Sequence, residues 1–546
     1  ICALKLMLCK NMWGVNMERK NKRLNGIKLL LVAFFIVTVI APLLVMLSHM
    51  ADVDVFAILQ SEQFSKGLVN SLLLATVATI VSVGLALLLA FALERSNIRH
   101  KSIWSVVFTL PMLIPSISHG MGLILLFGAN GIITNFLHLN WNIYGFGGVL
   151  TGSVMYSFPV AFLMLADVLR YEDCTPYEAA AVLGIPRANR WTGITFPYLR
   201  KPLISVVFAT FTLVITDYGV PLMVGGKFAT LPVLMYQEVI GLLNFGKGSV
   251  IGAVLLIPAV IAFVIDLLNK DKAGESFITK KARIVKNTLR DGAAYLLCIA
   301  VALFVVVPIV AFCMLSLVKK YPVDISFSFD NIAKAFQMNA GQFLLNSLLI
   351  ALAVSVFGTA FSYITAYVTA RAGGKYANAL HLFAITSMAI PGLVLGLSFV
   401  LFFKNTWIYG TIFILMLVNL IHFFSSPYLM AYNSFHKVNS NLEAVGVTLG
   451  ISRFYILKDV LVPQMKDTII EMASYFFVNC MMTISAVSFL YTVNTMPVSL
   501  MITQFEAQML LECSAFISVV ILTINILAKG VTYLLKNYKR EKKETV

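Results

Sequence analysis

Long apolar runs recur along the whole chain and are separated by shorter polar and charged segments. Each run has about 20 residues, the length that crosses the hydrocarbon core of a bilayer as an α-helix. Six runs fall in each half of the sequence. The twelve predicted spans are Ile27–Ser48, Asn70–Leu93, Ile103–Phe127, Gly148–Leu169, Leu203–Val224, Ser249–Leu268, Ala293–Leu317, Asn346–Ala370, Ala379–Phe403, Thr411–Asn433, Ile469–Tyr491 and Ser514–Leu535. The pattern predicts an all-α polytopic membrane protein.

A polar, charged segment interrupts this pattern between the fourth and fifth spans, at Tyr177–Pro202. Thr175 and Glu178 have the spacing of a capping box, which predicts the start of a helix. Gly184 supplies the stop, and Pro197 marks a boundary before the next apolar run. We therefore predict a short helix, within residues 175–190, in a bent loop.

The second half contains a copy of this loop, Leu442–Arg453. The spacing from glycine to proline is identical in the two copies, Gly184 to Pro197 and Gly450 to Pro463. Aligned on the glycines, the counterpart of Glu178 is Ala444, and Glu443 stands one residue earlier. The second acidic position is therefore displaced by one residue.

The repeat extends beyond the loop, which indicates a duplicated architecture. Asn70–Ala75 matches Asn346–Ala351, and Pro115 matches Pro391 in the same alignment, which we call the span register. The two loops align with Gly184 on Gly450, which we call the loop register. The two registers differ because an external segment is shorter in the second half. Since each half has an even number of spans, we predict two parallel six-helix repeats.

Glu-Ala-Ala followed by a glycine and then by a proline at this spacing resembles the EAA loop of permease subunits in type I ATP-binding-cassette importers. The resemblance covers nearly the whole chain and implies two fused permease domains of the MetI-like fold. It implies that the loops dock as coupling helices on two copies of a cytoplasmic ATP-binding subunit, with an extracytoplasmic solute-binding protein on the other side. The coupling residues so implied are Glu178, Ala179, Ala180, Gly184, Pro197, Glu443, Ala444, Gly450 and Pro463.

Composition supports the membrane assignment. Of the 546 residues, 59% are hydrophobic and 12% charged, and the mean hydropathy of +0.88 excludes a soluble globular protein. The net charge is +16, but 34 of the 41 Lys and Arg residues fall in the termini and loops of one predicted side. By the positive-inside rule both termini are expected in the cytoplasm, with the chain in a bacterial plasma membrane. This placement argues against nucleic-acid binding.

These patterns divide the chain into five regions. We predict a cytoplasmic arm at 1–26, a first permease domain at 27–268, a cytoplasmic linker at 269–292, a second permease domain at 293–535 with its coupling helix at 440–456, and a basic cytoplasmic tail at 536–546. Met12 or Met17 is the expected initiator within the arm.

No metal site or bound cofactor is predicted. The seven cysteines and seven histidines are scattered without the paired spacing that metal ligands need. Gly241–Gly248 nearly spells a phosphate-binding loop, but it lies between two predicted spans and lacks the following hydroxyl residue. ATP and Mg²⁺ are therefore expected in partner subunits, and the chain itself is not expected to be an enzyme.

Five residues are candidates for the translocation path. Asp217 and Tyr218 lie in a segment that resembles the Asp-Phe-Gly element of fused permeases for ferric iron and thiamine, and Ser485 lies in one that resembles the Thr-Ile-Ser-Ala-Val element of iron and aminoethylphosphonate permeases. A carboxylate at membrane depth needs a polar partner, so Asp217 serves either the path or a structural hydrogen bond. Pro115 and Pro391 break their helices and either line the path or only kink it.

The sequence leaves two alternatives open. A twelve-helix secondary transporter driven by an ion gradient would also have two six-span halves, although paired loops between spans four and five do not suit it. For the importer, the resemblance favours ferric iron or 2-aminoethylphosphonate as the substrate, ahead of thiamine, polyamines or another small polar solute.

Overall fold

The computed structural model describes residues 25–138, 142–269, 286–371, 376–439 and 441–537. Nearly all of the predicted N-terminal arm, most of the predicted linker and nearly all of the predicted tail lie outside the described residues. The side chain of Ala444 also lies outside the description.

The first half is built from helices throughout. Its helices are α1 (Asn25–Asp52), α2 (Val55–Gln60), α3 (Glu62–Arg95), α4 (Lys101–Thr109), α5 (Ser116–Phe127), α6 (Ile132–Phe136), α7 (Phe146–Arg170), α8 (Thr175–Val182), α9 (Arg187–Arg190), α10 (Phe196–Ile215), α11 (Gly219–Val224), α12 (Leu231–Tyr236) and α13 (Phe245–Asn269).

The second half repeats this order and adds a short antiparallel hairpin after its first helix. Its elements are α14 (Thr288–Leu315), β1 (Val318–Lys320), β2 (Asp324–Phe327), α15 (Asp330–Gln337), α16 (Ala340–Ala370), α17 (Ala377–Thr386), α18 (Gly392–Phe403), α19 (Ile412–His422), α20 (Ser425–Lys437), α21 (Asn441–Thr448), α22 (Arg453–Tyr455), α23 (Val462–Gln464), α24 (Lys466–Met482), α25 (Met501–Ala507) and α26 (Leu511–Asn537).

The structure confirms an all-α membrane protein. Among the described residues, nine helices are long and apolar enough to cross a bilayer, or up to eleven if two bent helix pairs each count as one span. The predicted span that is missing from this count is the eleventh, Ile469–Tyr491. Its helix, α24, has only 17 residues, because the chain leaves helical geometry at Met465 on one side and at Thr483 on the other.

The third and ninth spans are both interrupted by a proline, as predicted. Pro115 and Pro391 each stand in extended backbone immediately before a helix, with φ and ψ of −58° and 147° and of −57° and 141°. A proline there is favourable, because its fixed φ suits the entry to a helix and its missing N–H is not needed. In the ninth span the chain bends by 109° between the two helical pieces.

The first helix of each half packs against the other half. In α1, the ring centroid of Phe34 lies 4.8 Å from that of Phe361, and Phe35 lies 5.0 Å from Phe424. Conversely, α14 packs against α3, α4 and α5 of the first half. Because each half supplies a helix to the other, the buried apolar surface of the halves is shared.

Polar contacts inside the membrane region also join the halves. The hydroxyl groups of Ser118 and Ser518 are 2.9 Å apart and buried. The amide of Asn525 donates to the carbonyl oxygen of Leu113 at 2.9 Å, just before the break at Pro115. Hydrogen bonds between helices satisfy polar groups that would otherwise face hydrocarbon, so these contacts fix how the two halves meet.

Candidate functional site

The first loop forms a short helix that ends at a glycine in left-handed backbone. After α8, Gly184 has φ of +68°. The N–H of Ile185 donates to the carbonyl oxygen of Ala180 at 2.9 Å, which closes the helix end in the manner of a Schellman motif. Glycine is favoured there because other residues pay a steric cost at positive φ.

The second loop has the same geometry. Gly450 follows α21 with φ of +72°, and the N–H of Ile451 donates to the carbonyl oxygen of Gly446 at 2.8 Å. Gly446 occupies the position that corresponds to Ala180 in the loop register. We call α8 with the turn at Gly184 the first elbow, and α21 with the turn at Gly450 the second elbow.

Both elbows expose apolar side chains next to their glycine. Leu183 is 76% exposed in the first elbow, and Leu449 is 68% exposed in the second. Glu178 and Ala179 are also accessible, whereas Ala180 is buried. Val182 beside the first leucine and Ile451 near the second are exposed as well, so each elbow presents an apolar patch of the kind that another protein covers.

The predicted capping box at Thr175 is wrong. Helix α8 begins at Thr175 itself, and the hydroxyl group of Thr175 donates to the carboxylate of Asp173 at 2.8 Å. The N–H of Thr175 donates to the same oxygen at 3.1 Å. A carboxylate two residues upstream is the stronger acceptor, so Asp173 organises the start of the helix.

The predicted boundary at Pro197 is also wrong. The helix runs continuously from Ala188 to Ile215 and widens into a π-turn at Trp191–Thr195 just before the proline. The second half has the same feature, a π-turn at Ile456–Leu461 just before Pro463. A π-turn shifts the hydrogen-bond pattern of the helix, which lets it accommodate the missing N–H and the ring of a proline.

Each elbow touches an arginine at the end of the second span of its half. Arg95 pairs with Glu172, whose side chain is almost fully buried, and Tyr177 donates its hydroxyl to the same carboxylate at 2.5 Å. Burial, together with the hydrogen bond to Glu172, raises the pKa of Tyr177 to about 12. In the second half, Arg371 lies 3.7 Å from the carboxylate of Glu443.

Arg95 and Arg371 also match in the span register, but neither was predicted to have a role. The arginines can be found from that match, because a basic residue recurs where the second span of each half ends. Their acidic partners, Glu172 and Glu443, are not at matching positions, so the repeat alone could not pair them.

Asp217 caps a helix between the two halves. It lies in the break between α10 and α11, and its two carboxylate oxygens accept from the N–H groups of Gly219 at 3.3 Å and Val220 at 3.1 Å. Ser116 also lies beside this carboxylate. These contacts give the buried acid the polar partners that the membrane interior demands.

The five path candidates converge on one region of the interface between the halves. A Cβ atom on Gly219 would lie 2.4 Å from Oγ of Ser116 and 3.0 Å from Ile484, so the segments that carry Pro115, Asp217 and Ser485 are in contact. A Cβ atom on Gly392, next to Pro391, would lie 2.1 Å from Oγ of Ser485.

Tyr218 crosses between the halves in this region. It is 1% exposed, and its hydroxyl lies 2.6 Å from the hydroxyl of Ser488. Its ring stacks on Tyr236 with centroids 5.0 Å apart, a contact that sequence reasoning missed. The close packing and the buried hydrogen bond make this a fixed junction between the halves.

The segment that resembles a phosphate loop is occupied by its own ion pair. Lys247 donates to the carboxylate of Glu238 at 2.5 Å, and the segment runs from the end of a π-helix at Gly241 into the first turn of α13, which begins at Phe245. The residues that the structure describes also contain no cluster of three or more His, Cys, Asp or Glu that could hold a metal ion.

The paired elbows and the interlocked halves define a two-domain membrane permease. The family of binding-protein-dependent transport system inner membrane components matches residues 82–270 and 358–540. Because the match covers more than half of the chain, the chain belongs to this family. It is therefore a multi-pass inner-membrane permease component and not an enzyme, and an ion-driven secondary transporter is not its class.

Two relatives match most of the chain. The chain is 25% identical over 495 residues to the ferric transport system permease protein FbpB of Actinobacillus pleuropneumoniae, covering 86% of this chain and 71% of the relative. It is 25% identical over 494 residues to a putative ferric transport system permease protein of Haemophilus influenzae, covering 86% and 77%.

Other matches cover less than half of the chain. A spermidine/putrescine transport system permease homologue of Mycoplasma genitalium is 26% identical over 213 residues, covering 38% of this chain and 70% of the relative. A solved bacterial alginate ABC transporter, in complex with its periplasmic protein, matches with a TM-score of 0.38 and 18% identity, over 46% of this chain and 93% of that one.

Proposed function

We propose that the chain forms the path for ferric iron in an ATP-driven, binding-protein-dependent importer. The similarity to ferric transport permeases over 86% of the chain supports this substrate. The matches to polyamine and molybdenum permeases are shorter. The chain itself binds no cofactor in this proposal, since ATP and Mg²⁺ belong to the partner subunits.

Two copies of an ATP-binding subunit dock on the two elbows. The observation that carries this part of the proposal is the matched geometry of the elbows, with φ of +68° at Gly184 and +72° at Gly450 and an exposed leucine beside each glycine. In the first elbow Glu178 and Ala179 lie on the accessible surface. A short helix that is held between two long helices transmits a rigid-body motion, because it cannot bend independently of them.

The elbows and both termini face the cytoplasm, and a solute-binding protein docks on the opposite side. The charge distribution supports this orientation, since 34 of the 41 basic residues fall on the elbow side. The junction of Asp217, Tyr218 and Ser485 then lies between the halves at membrane depth, where the path passes.

Uptake of radiolabelled Fe(III) tests the proposed substrate. Cells that lack their own ferric permease are supplied with this chain, its ATP-binding subunit and its solute-binding protein, and uptake is measured with and without an excess of 2-aminoethylphosphonate, thiamine or spermidine. We expect ATP-dependent iron uptake that none of the three competitors reduces. Uptake of a competitor in place of iron would refute the ferric assignment while leaving the permease class intact.

A further inference from the structure

The first elbow is fastened to the membrane domain by an ion pair between a half-buried arginine and a buried acid. Arg95 ends the long helix α3, and Glu172 lies just before α8 with 3% of its surface exposed. The guanidinium of Arg95 pairs with one oxygen of Glu172 and lies over the ring of Tyr177, 5.6 Å from its centroid. Its second nitrogen donates to Sγ of Cys174 at 3.2 Å.

The second elbow is fastened to the equivalent arginine by different groups. Arg371 follows α16 directly, and one of its nitrogens donates to the carbonyl oxygens of Phe435 at 2.6 Å and of Val438. Another nitrogen lies 3.7 Å from the carboxylate of Glu443, inside α21. Only 8% of the Arg371 side chain is exposed, so the guanidinium needs an acidic partner.

In the second half the acidic partner of the arginine stands at a different position. In the loop register, Glu172 corresponds to Val438, and Tyr177 corresponds to Glu443. The acid precedes the helix in the first elbow and lies within the helix in the second. The arginine has kept its position, and a carboxylate reaches it from the segment just before α8 in the first half and from within α21 in the second.

We propose that Arg95 and Arg371 are positioning residues that hold the two elbows in a fixed orientation on the ends of the second spans. In this arrangement Glu443 is the internal partner of Arg371, and the ATP-binding subunit is contacted by other residues of α21. The inference rests on the proposed coupling role of the elbows. It also accounts for the one-residue displacement of the acid between the two copies.

The two ion pairs differ in the hydrogen bonds that their carboxylates accept. In the described part of the chain, neither oxygen of Glu443 has a hydrogen bond, whereas Glu172 is bonded to both Arg95 and Tyr177. A cavity of about 510 Å³ lies beside Arg371 and Glu443. Because the second pair lacks hydrogen bonds to its carboxylate and borders a polar cavity, we expect the first elbow to be held more rigidly than the second.

The test measures iron transported per ATP hydrolysed by the whole complex in proteoliposomes. Glu172→Gln and Glu443→Gln remove one charge from each pair while keeping the shape of the side chain. We expect both variants to retain the ATP-binding subunit and to hydrolyse ATP, but to transport roughly 5- to 150-fold less iron per ATP, the range of ordinary coupling between sites. The larger loss is expected for Glu172→Gln.

A transplanted pair distinguishes positioning from contact with the ATPase. Val438→Glu combined with Glu443→Tyr builds the arrangement of the first elbow into the second, and we expect it to recover most of the transport that Glu443→Gln loses. Arg371→Lys, which keeps the charge but loses the planar group, should fall between the wild type and Glu443→Gln. Glu471→Gln is the matched control, since Glu471 pairs with Lys536 on the surface.

The possible results distinguish a failure of this inference from a failure of the proposed function. If the wild-type complex shows no ATP-dependent iron uptake, the proposed function fails, whatever the glutamine variants do. If the wild type transports iron and both glutamine variants keep its transport per ATP, the anchoring inference is overturned. If Glu443→Gln loses the ATP-binding subunit during purification and the transplant does not restore it, Glu443 is a docking contact and the inference is also overturned.

Discussion

A serine and a glycine face each other at the same place in both halves, but the two residues are exchanged. In the first half Ser116 begins a helix and Gly219 lies opposite it, whereas in the second half Gly392 begins the helix and Ser485 lies opposite. Ser116 corresponds to Gly392 in the span register, and Gly219 corresponds to Ser485 in the loop register. We therefore predict that Gly392→Ser is destabilising and that Ser485→Gly in the same chain rescues it.

The magnitude follows from the space available. A Cβ atom at Gly392 would lie 2.1 Å from Oγ and 2.9 Å from Cβ of Ser485, and 3.2 Å from the backbone nitrogen of Ala486. Ordinary contact needs about 3.5–4.0 Å, so either Ser485 or the backbone must move. Overpacking of this kind costs about 1–3 kcal/mol. Ser485→Gly removes the two closest atoms and leaves only the mild contact with Ala486.

The assay is the thermal midpoint of the purified complex in detergent, together with iron uptake. We expect Gly392→Ser to lower the midpoint, and the double variant to return close to the wild type, with a coupling free energy of about 1–3 kcal/mol between the two sites. Gly84→Ser is the control, because a Cβ atom at Gly84 meets nothing within 4 Å. A normal midpoint for Gly392→Ser, or additive effects in the double variant, would refute the packing argument.

Three further predictions concern the elbows, the topology and Asp217. Replacing Gly184 or Gly450 by valine should uncouple ATP hydrolysis from uptake, more severely at Gly184. A β-branched residue at positive φ carries a backbone strain of about 1–3 kcal/mol, which should change the shape of the elbow. Normal transport per ATP in both variants would contradict this. In a cysteine-free chain, cysteines in 171–200 should resist an impermeant thiol reagent in intact cells while those in 494–508 react, and labelling of the elbow from outside would reverse the orientation. Asp217→Asn should lower the free energy of unfolding by about 1 kcal/mol and still assemble, since the amide oxygen still caps α11. Asp217→Leu removes the cap and should reduce the recovery of folded complex. Full uptake by Asp217→Asn would show that the path does not need the charge.

Much of the fold could be predicted because the signals were local or repeated. Runs of about 20 apolar residues identified every span except the eleventh, when the two bent helix pairs are each counted as one span. Pro115 and Pro391 broke their helices as predicted, because proline lacks an N–H and fixes φ regardless of its neighbours. Each of these features depends on the residue itself and its immediate sequence.

The features that sequence reasoning got wrong depend on competition between nearby groups. Thr175 had the spacing of a cap, but Asp173 offers a stronger acceptor, which binds both the N–H and the hydroxyl of Thr175. Pro197 was expected to mark a boundary, but the helix widens into a π-turn directly before Phe196 and continues through the proline. Composition could not reveal either outcome, because each was decided by the geometry of the folded turn.

Contacts between distant segments could be located from the repeat but not paired by it. The span register places Arg371 where Arg95 stands, and the loop register aligns Tyr177 with Glu443. A duplicated backbone keeps the place where a charge must be neutralised, while either of two positions on the elbow can bring a carboxylate to it. The same holds for the exchanged pair of Ser116 with Gly219 and Gly392 with Ser485. In both cases the fold requires one group at the contact: an acid for each arginine, and a hydroxymethyl group at each close crossing of the two segments. Either of two segments can supply that group. A repeat alignment that searches for identical residues will therefore miss such contacts, and one that searches for compensating pairs will find them.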